Sequence, residues 1–453
     1  MSKDKLTDYD ATASNSTDVG GISVAEGMLP SGVNNAIREQ MSHLKDFASG
    51  TTGIDVLSLA DDDASHSIKL QAPSAVTADT TFTLPDGDGT ADQVLKTDGS
   101  GQLGFADRHS NPSLIINGAF SIFQRGTGAT TVSGNDIFAA DRFKGWANGG
   151  GTYTVEQSTD VPNNEFEFSA KLTNTATDGS VAAGDFYAYA TDIEGYNVSQ
   201  LAYGHSDAKA VTLSFWVKSS LAGTYCIALY STTANRSHIK EYTISSANTW
   251  EKKTITISSG DTTGSWNRTN GNGLRIYWDL GSGSTYQASA DTWLASQDFS
   301  TTNQAAWIGS ASATFFITGI KLEVGSTATD FQHSSYGDEL AKCQRYYQEI
   351  GHYRHLAQGA RWTTNQVFVT YNLASNMRAT PSATATGVPS LSRYDNGQSA
   401  DATSLVTVGG VEENTTKAAN ITIIWASGYD PTASLHYVYS NTNGDKVALD
   451  AEL

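Results

Sequence analysis

Apolar and polar residues alternate with a period of two in segment after segment of this chain, as in Thr212-Leu213-Ser214-Phe215-Trp216-Val217 and Leu274-Arg275-Ile276-Tyr277-Trp278. That period sends successive side chains to opposite faces of an extended strand, so each segment has one face to bury against a second layer. Such segments recur from Ser113 to Phe331 with Gly, Ser and Asn turns between them. They predict a jelly-roll or β-sandwich domain over 111–335. At 453 residues the chain exceeds what one core serves, and about three domains are expected at roughly 100–200 residues each.

Two stretches have helical spacing instead. From Pro30 and Ser31, the residues Val33, Ile37, Met41, Leu44 and Ala48 recur every three or four positions and form one apolar stripe, predicting a helix over 31–48. Packing within its own domain is one way to cover the stripe. Residues 1–50 hold no other segment with enough apolar surface to do so, however, and a lone helix of this length is marginal in water. Residues 1–50 therefore read as an attachment segment whose Val33, Ile37, Met41 and Leu44 face another chain. The second stretch, Tyr336 to Tyr347, carries Asp338 and Glu339 near its start and reads as a helical connector over 336–350.

Between these helices, 51–110 reads as short strands around Ile54/Val56, Ile68/Leu70, Phe82/Leu84 and Val94/Leu95, broken by Asp- and Gly-rich turns. So few large apolar groups barely close a core in one copy. Three copies wound on a common axis bury alternate residues against two neighbours, so this span is expected to be a β shaft in a homotrimer. Residues 351–453 return to strands, including Gln366–Tyr371 and Asn420–Trp425, and predict a C-terminal β tip domain. The fold class expected is mainly β, as an elongated homotrimer with a short N-terminal helical anchor.

A net charge of −19 with scattered Lys and Arg disfavours nucleic acid and anionic lipid as partners, and leaves neutral glycans as candidates. Cys226 and Cys343 stand far apart in unlike contexts and read as buried free thiols. No apolar run has the length of a membrane span, and the N-terminus lacks the apolar stretch of a signal peptide, so neither membrane insertion nor secretion is expected. Release inside a virion made in the host cytoplasm fits a protein that meets the outside without such a signal.

Asn117-Gly118-Ala119-Phe120, Gln124-Arg125-Gly126, Asp141-Arg142-Phe143 and Trp146 resemble the start of a jelly-roll module found in many bacteriophage tail fibres. Ile320-Lys321-Leu322-Glu323-Val324-Gly325, Ala328-Thr329-Asp330-Phe331 and Cys343-Gln344-Arg345-Tyr346-Tyr347 are similar to its end, and Met377-Arg378-Ala379-Thr380-Pro381 to the domain that follows. Upstream, 32–38 and 93–99 look like the anchor and shaft of fibres from podovirus-type phages of aquatic bacteria. The resemblance implies a trimeric virion fibre. Its N-terminus would dock on tail adaptor or nozzle proteins, and its distal domains would touch a bacterial surface glycan, either lipopolysaccharide or capsule, or another surface receptor.

Sugar recognition stacks an aromatic ring on the pyranose and uses amides and carboxylates for the hydroxyls. Trp216, Trp278 and Trp425 lie in apolar alternation and are assigned to packing. Rings in polar surroundings are the candidates: Trp266, Tyr286, Trp362, and Tyr394 with Asp395 and Asn396. A ring folded back onto the sheet is the competing reading for each. The region beyond Gly351 is expected to be the tip that reads the receptor. Asp61-Asp62-Asp63 lacks the ligand spacing of a calcium loop, and His352 and His355 lack a third zinc ligand, so no metal is expected. No nucleophile elbow, Walker loop or dinucleotide fingerprint occurs, so no catalytic residue, cofactor or enzymatic activity is expected. Two rival functions remain open. A glycan-degrading tailspike needs paired carboxylates, and the repeat of roughly 20–30 residues from which its usual scaffold is stacked is absent. A purely structural virion adaptor or decoration protein would use its aromatic residues for folding alone.

Overall fold

The computed structural model describes residues 15, 17–25, 27–49, 56–60, 66–71, 81–87, 89, 93–107, 112–351, 355–363, 366–386, 390–393, 399–408, 418–425, 436–439 and 446–453. The chain divides into two compact units, Met1–Arg108 and His109–Leu453.

In the first unit the helix Pro30–Ser49 lies where the stripe predicts one. Among its described side chains Ala36 and His43 are buried, and Val19 of the hairpin Asp18–Val19/Ile22–Ser23 is buried as well. Gly20 fits beside Glu39 with no room for a Cβ. The stripe itself faces away: Val33, Ile37, Met41 and Leu44 are 42–64% exposed. Two further hairpins, Val56–Ala60/Ser67–Gln71 and Gln93–Thr97/Leu103–Asp107, follow in this unit, and Thr83 bridges the second at Gln102. The turn of the second is built by its sequence. Asp98 Oδ1 accepts from the backbone N–H groups of Ser100 (2.7 Å) and Gln102 (3.1 Å), and Gly101 has φ +94° with Thr81 O where a Cβ would sit. Phe82, Leu84, Val94, Leu95 and Phe105 are exposed.

The second unit contains a sandwich of two antiparallel sheets. One runs, edge to edge, Glu251–Ile257, Val211–Ser219, Thr314–Val324, Ser169–Ala176, Thr152–Ser158 and Thr130–Val132. The other runs Trp293–Leu294, Arg236–Ile244, Gly223–Ser231, Asn272–Ser282, Phe186–Glu194, Phe143–Asn148 and Ile137–Phe138. Alternation sets the core. Leu213, Phe215 and Val217 point inward from the first sheet, and Ile227, Leu229, Ile276 and Trp278 from the second. Phe215 meets Trp278 edge-on at 5.9 Å and Phe143 stacks near Tyr189 at 5.6 Å. Each such side chain stabilises the fold by about 1.5–3 kcal/mol. Trp216 departs from its packing assignment: the residue after inward Phe215 has to face outward, and it is only half-buried. The side chain of Trp425 lies outside the described residues.

The helix Tyr336–Gln344 is capped by Ser335, whose Oγ accepts from the Asp338 N–H. It ends inside the span read as a connector, because Tyr347–Gly351 is already a strand. That strand flanks Lys446–Asp450, with Ser382–Thr386 on the other side. A six-stranded closed barrel follows, in the order His355–Thr363, Gln366–Asn372, Ala418–Trp425, Ser399–Val408, Ser390–Arg393 and His436–Tyr439. Closure leaves no open sheet edge. The fold is thus mainly β. Among the described residues no helix is long and apolar enough to cross a membrane, and Cys226 and Cys343 are free and buried.

Candidate functional site

The fibre-like motifs of the second unit are brought together, and they build a joint. Asn117 adopts φ +61°, which asparagine tolerates. Its side chain donates to Ile122 O (2.8 Å) and Asp141 O (3.0 Å) and accepts from the Ile122 N–H (3.0 Å). Gly118 passes so close to Ile320 that a Cβ would lie 2.1 Å from its carbonyl oxygen. Asp141 accepts from the Gln124 N–H at 2.7 Å, and burial pushes its carboxyl up to about 6. The Arg125 and Arg142 guanidiniums stack at 3.5 Å on Tyr347 and Tyr346, and both arginines pair with Glu452. Lys321 pairs with fully buried Glu323, whose carboxylate holds Thr329. Arg345 binds Glu194 through two nitrogens, at 2.9 and 2.6 Å. These residues tie the sandwich to the helix and to the strand Lys446–Asp450, so their work is structural.

The outer face of the seven-stranded sheet carries Lys144, Trp146, Asp192, Arg275 and Tyr277, a set of rings and charges suited to a ligand. It is closed. Lys144 Nζ lies 2.6 Å from Asp192, and Arg275 holds the same carboxylate by two nitrogens. Burial alone would raise the Asp192 carboxyl, but Arg275 and Lys144 hold it down at about 2. Tyr286 and Phe299, from the segment after the strand Asn272–Ser282, stack at 5.0 Å and cover Phe186. Beneath this cover Asp279 accepts from Ser282 Oγ (2.5 Å) and Ser300 Oγ (3.0 Å), and burial pushes its carboxyl up to about 7.

Open space lies instead on either side of the segment 112–116. One cleft, of about 440 Å³, is lined by Phe168, Phe331, His333 and Tyr336 together with Glu165, Glu167, Glu339 and Lys342. Phe166, buried between the two glutamates in sequence, packs on Phe331 and His333 at 5.3 Å and so holds that wall. The other cleft, of about 520 Å³, is lined by Tyr196, Asn197, Gln200, Arg345 and Tyr346. Pro112, Ser113, Ile115 and Lys342 belong to both. Tyr196 and Tyr336 are 58% and 64% exposed, the most exposed of the large apolar and aromatic side chains described in this unit. An exposed ring beside carboxylates or amides can stack on the apolar face of a sugar while the polar groups take its hydroxyls.

The residues singled out from sequence lie elsewhere. Trp266 is buried against Tyr203 (4.9 Å) and Trp293 (5.6 Å) and donates its Nε1–H to Thr263 O at 3.0 Å, a ring folded back into the core. Tyr286 is half-buried in the cover described above. Trp362 lies in the barrel strand His355–Thr363, but its side chain, like all of Tyr394, Asp395 and Asn396, is outside the described residues. So are Asp61, Asp62, Asp63 and His352, and the His355 side chain. Sequence reasoning missed Glu165, Glu167 and Phe331, which lie in loops, and Tyr196, in the single helical turn Gly195–Val198, where no periodicity marks them. Tyr336 could have been found as an aromatic residue in the first turn of a helix.

No family model matches the chain, and no curated protein matches it. Among solved structures, the chain is similar over 47% of its length to the enzymatically active domain of tailspike protein 4 of bacteriophage CBA120, at 12% identity and a TM-score of 0.26, and the match spans 21% of that chain. It is also similar to the family 11 carbohydrate-binding module of a Clostridium thermocellum cellulosomal cellulase, at 11% identity and a TM-score of 0.25, over 46% of this chain and 99% of that one. A carbohydrate-binding module solved with β-1,4-galactotriose gives 10% identity and a TM-score of 0.22, over 47% and 98%. Scores of this size carry nothing about ligand or activity.

Proposed function

We propose that this chain is a homotrimeric bacteriophage tail fibre, carried on the virion, that docks on a tail adaptor or nozzle protein through its N-terminal unit and binds a bacterial surface glycan without cleaving it. The observation that carries the binding part is the pair of exposed rings, Tyr196 and Tyr336, each in a cleft furnished with carboxylates or amides. The exposed stripe Val33, Ile37, Met41 and Leu44, with Phe82, Leu84 and Phe105 exposed in the same unit, supports assembly, since one copy leaves these side chains in water. Trp362, Tyr394, Asp395 and Asn396 are further receptor contacts in this reading. They are tested by W362A and Y394A rather than by truncation at Tyr347, which would strip Glu452 from buried Arg142.

One observation favours a second reading. Glu165 and Glu167 give the cleft of about 440 Å³ two carboxylates, the minimum for glycan hydrolysis. Both are exposed, whereas a general acid needs a carboxyl removed from water. Incubation of the protein with host polysaccharide separates the readings: binding with no new reducing ends supports the fibre, and release of sugar supports the tailspike. A structural adaptor would bind neither cells nor glycan.

A further inference from the structure

We infer that the cleft of about 440 Å³ selects a glycan with a free amino group, a hexosamine that is not N-acetylated, over neutral and acidic sugars; this rests on the proposal that the cleft binds glycan. The charges around it are unequal. Lys342 is committed, donating to Glu339 Oε2 at 3.0 Å and to Ser334 Oγ at 2.9 Å, and Glu339 also accepts from the Asn117 N–H. That leaves Glu165 and Glu167, which hold no ion pair or side-chain hydrogen bond among the described residues. Phe166 between them turns into the wall and packs on Phe331, so both carboxylates emerge beside an aromatic surface, with exposed Tyr336 lining the same cleft. An ammonium on a pyranose satisfies the set. It donates to the free carboxylates while the ring lies on aromatic faces that themselves attract cations. A carboxylated or phosphorylated sugar meets like charge there.

The test is calorimetric titration of the full chain with a glucosamine tetramer, its fully N-acetylated counterpart and a galacturonate tetramer. The glucosamine tetramer is expected to bind about tenfold more tightly than the acetylated one, a difference of about 1.4 kcal/mol, and the galacturonate tetramer not measurably. E165Q/E167Q should abolish the preference. D86N/D207N, which removes the same charge elsewhere, should retain it, so a general attraction between a polycation and an acidic protein is distinguished. Equal binding of the two glucosamine forms, or a preference that survives E165Q/E167Q, overturns the inference. If Tyr336→Ala still weakens binding in that case, the cleft remains the glycan site and only the sugar class is wrong. If neither variant changes any binding, the cleft reading falls as well.

Discussion

Asp279 lies on the outer face of the sandwich under Ser300, fully withdrawn from water, with serine hydroxyls as its side-chain partners and no salt bridge among the described residues. Burial moves its carboxyl from the ordinary 3.8 to about 7. Below about pH 4 the group is protonated in folded and unfolded chains alike and costs nothing. As the pH rises the unfolded chain loses its proton first, so stability falls steadily and levels off only above about pH 7. A tenfold change in a protonation equilibrium corresponds to about 1.4 kcal/mol, so this carboxyl costs roughly 3 kcal/mol more at about pH 8 than at about pH 5. Asp279→Asn removes the charge and keeps an acceptor for the serines. The assay is urea unfolding followed through the emission of buried Trp278 and Trp307, with variant and wild type compared at each pH. The comparison matters because Asp141 shifts in the same direction, whereas His238, lowered to about 4 by burial, loses stability as the pH falls. The variant should gain on the wild type by roughly 3 kcal/mol across that range. A difference that stays constant with pH would mean the carboxyl titrates as if in water, and the reasoning fails.

Other perturbations test the remaining parts of the account. Arg275→Ala leaves Asp192 buried with Lys144 as its remaining salt-bridge partner, and should lower sandwich stability by about 3–5 kcal/mol in the same assay; a loss below about 1 kcal/mol would show the pair to be solvated. Gly118→Ala drives a Cβ into Ile320 O, so the joint has to open; loss of about 3 kcal/mol or more is expected, and an unchanged melting temperature would contradict the contact. Ile37→Asp with Leu44→Asp places charge in the exposed helical stripe, and light scattering should then fall from the mass of three chains toward one. A wild-type mass of one chain sinks the trimer outright.

Much of the sandwich was legible because burial on one side imposes a pattern on each strand. Leu213, Phe215 and Val217 announce an inward face, and Ile276 and Trp278 do the same across the core. The helix Pro30–Ser49 could be read for a similar reason, through its stripe. What covers that helix could not be read. The hairpin near Val19 meets the helix at Gly20 and Glu39, and the buried helix positions described are Ala36 and His43, small or polar residues that an apolar pattern ignores. The clefts were hidden for a different reason. Glu165, Phe331 and Tyr336 come together only because two loops far apart in sequence meet at one end of the sandwich. Trp266 misled because its neighbours Gly264, Ser265 and Asn267 are polar, while the ring itself reaches back to Tyr203 and Trp293. The fibre-like motifs of the second unit were conspicuous, yet most of their side chains are spent on the buried joint, and the exposed rings of the clefts, Tyr196 and Tyr336, stand outside them.

Glycan-array binding of the full chain, read beside the Y196A/Y336A variant with folding checked by light scattering and circular dichroism, bears most directly on the binding function. The wild type should bind a defined set of surface glycans, and the variant should lose that binding while keeping its mass and spectrum. Undiminished binding by a folded variant, or no glycan bound by a wild type that still attaches to host cells, would contradict the account.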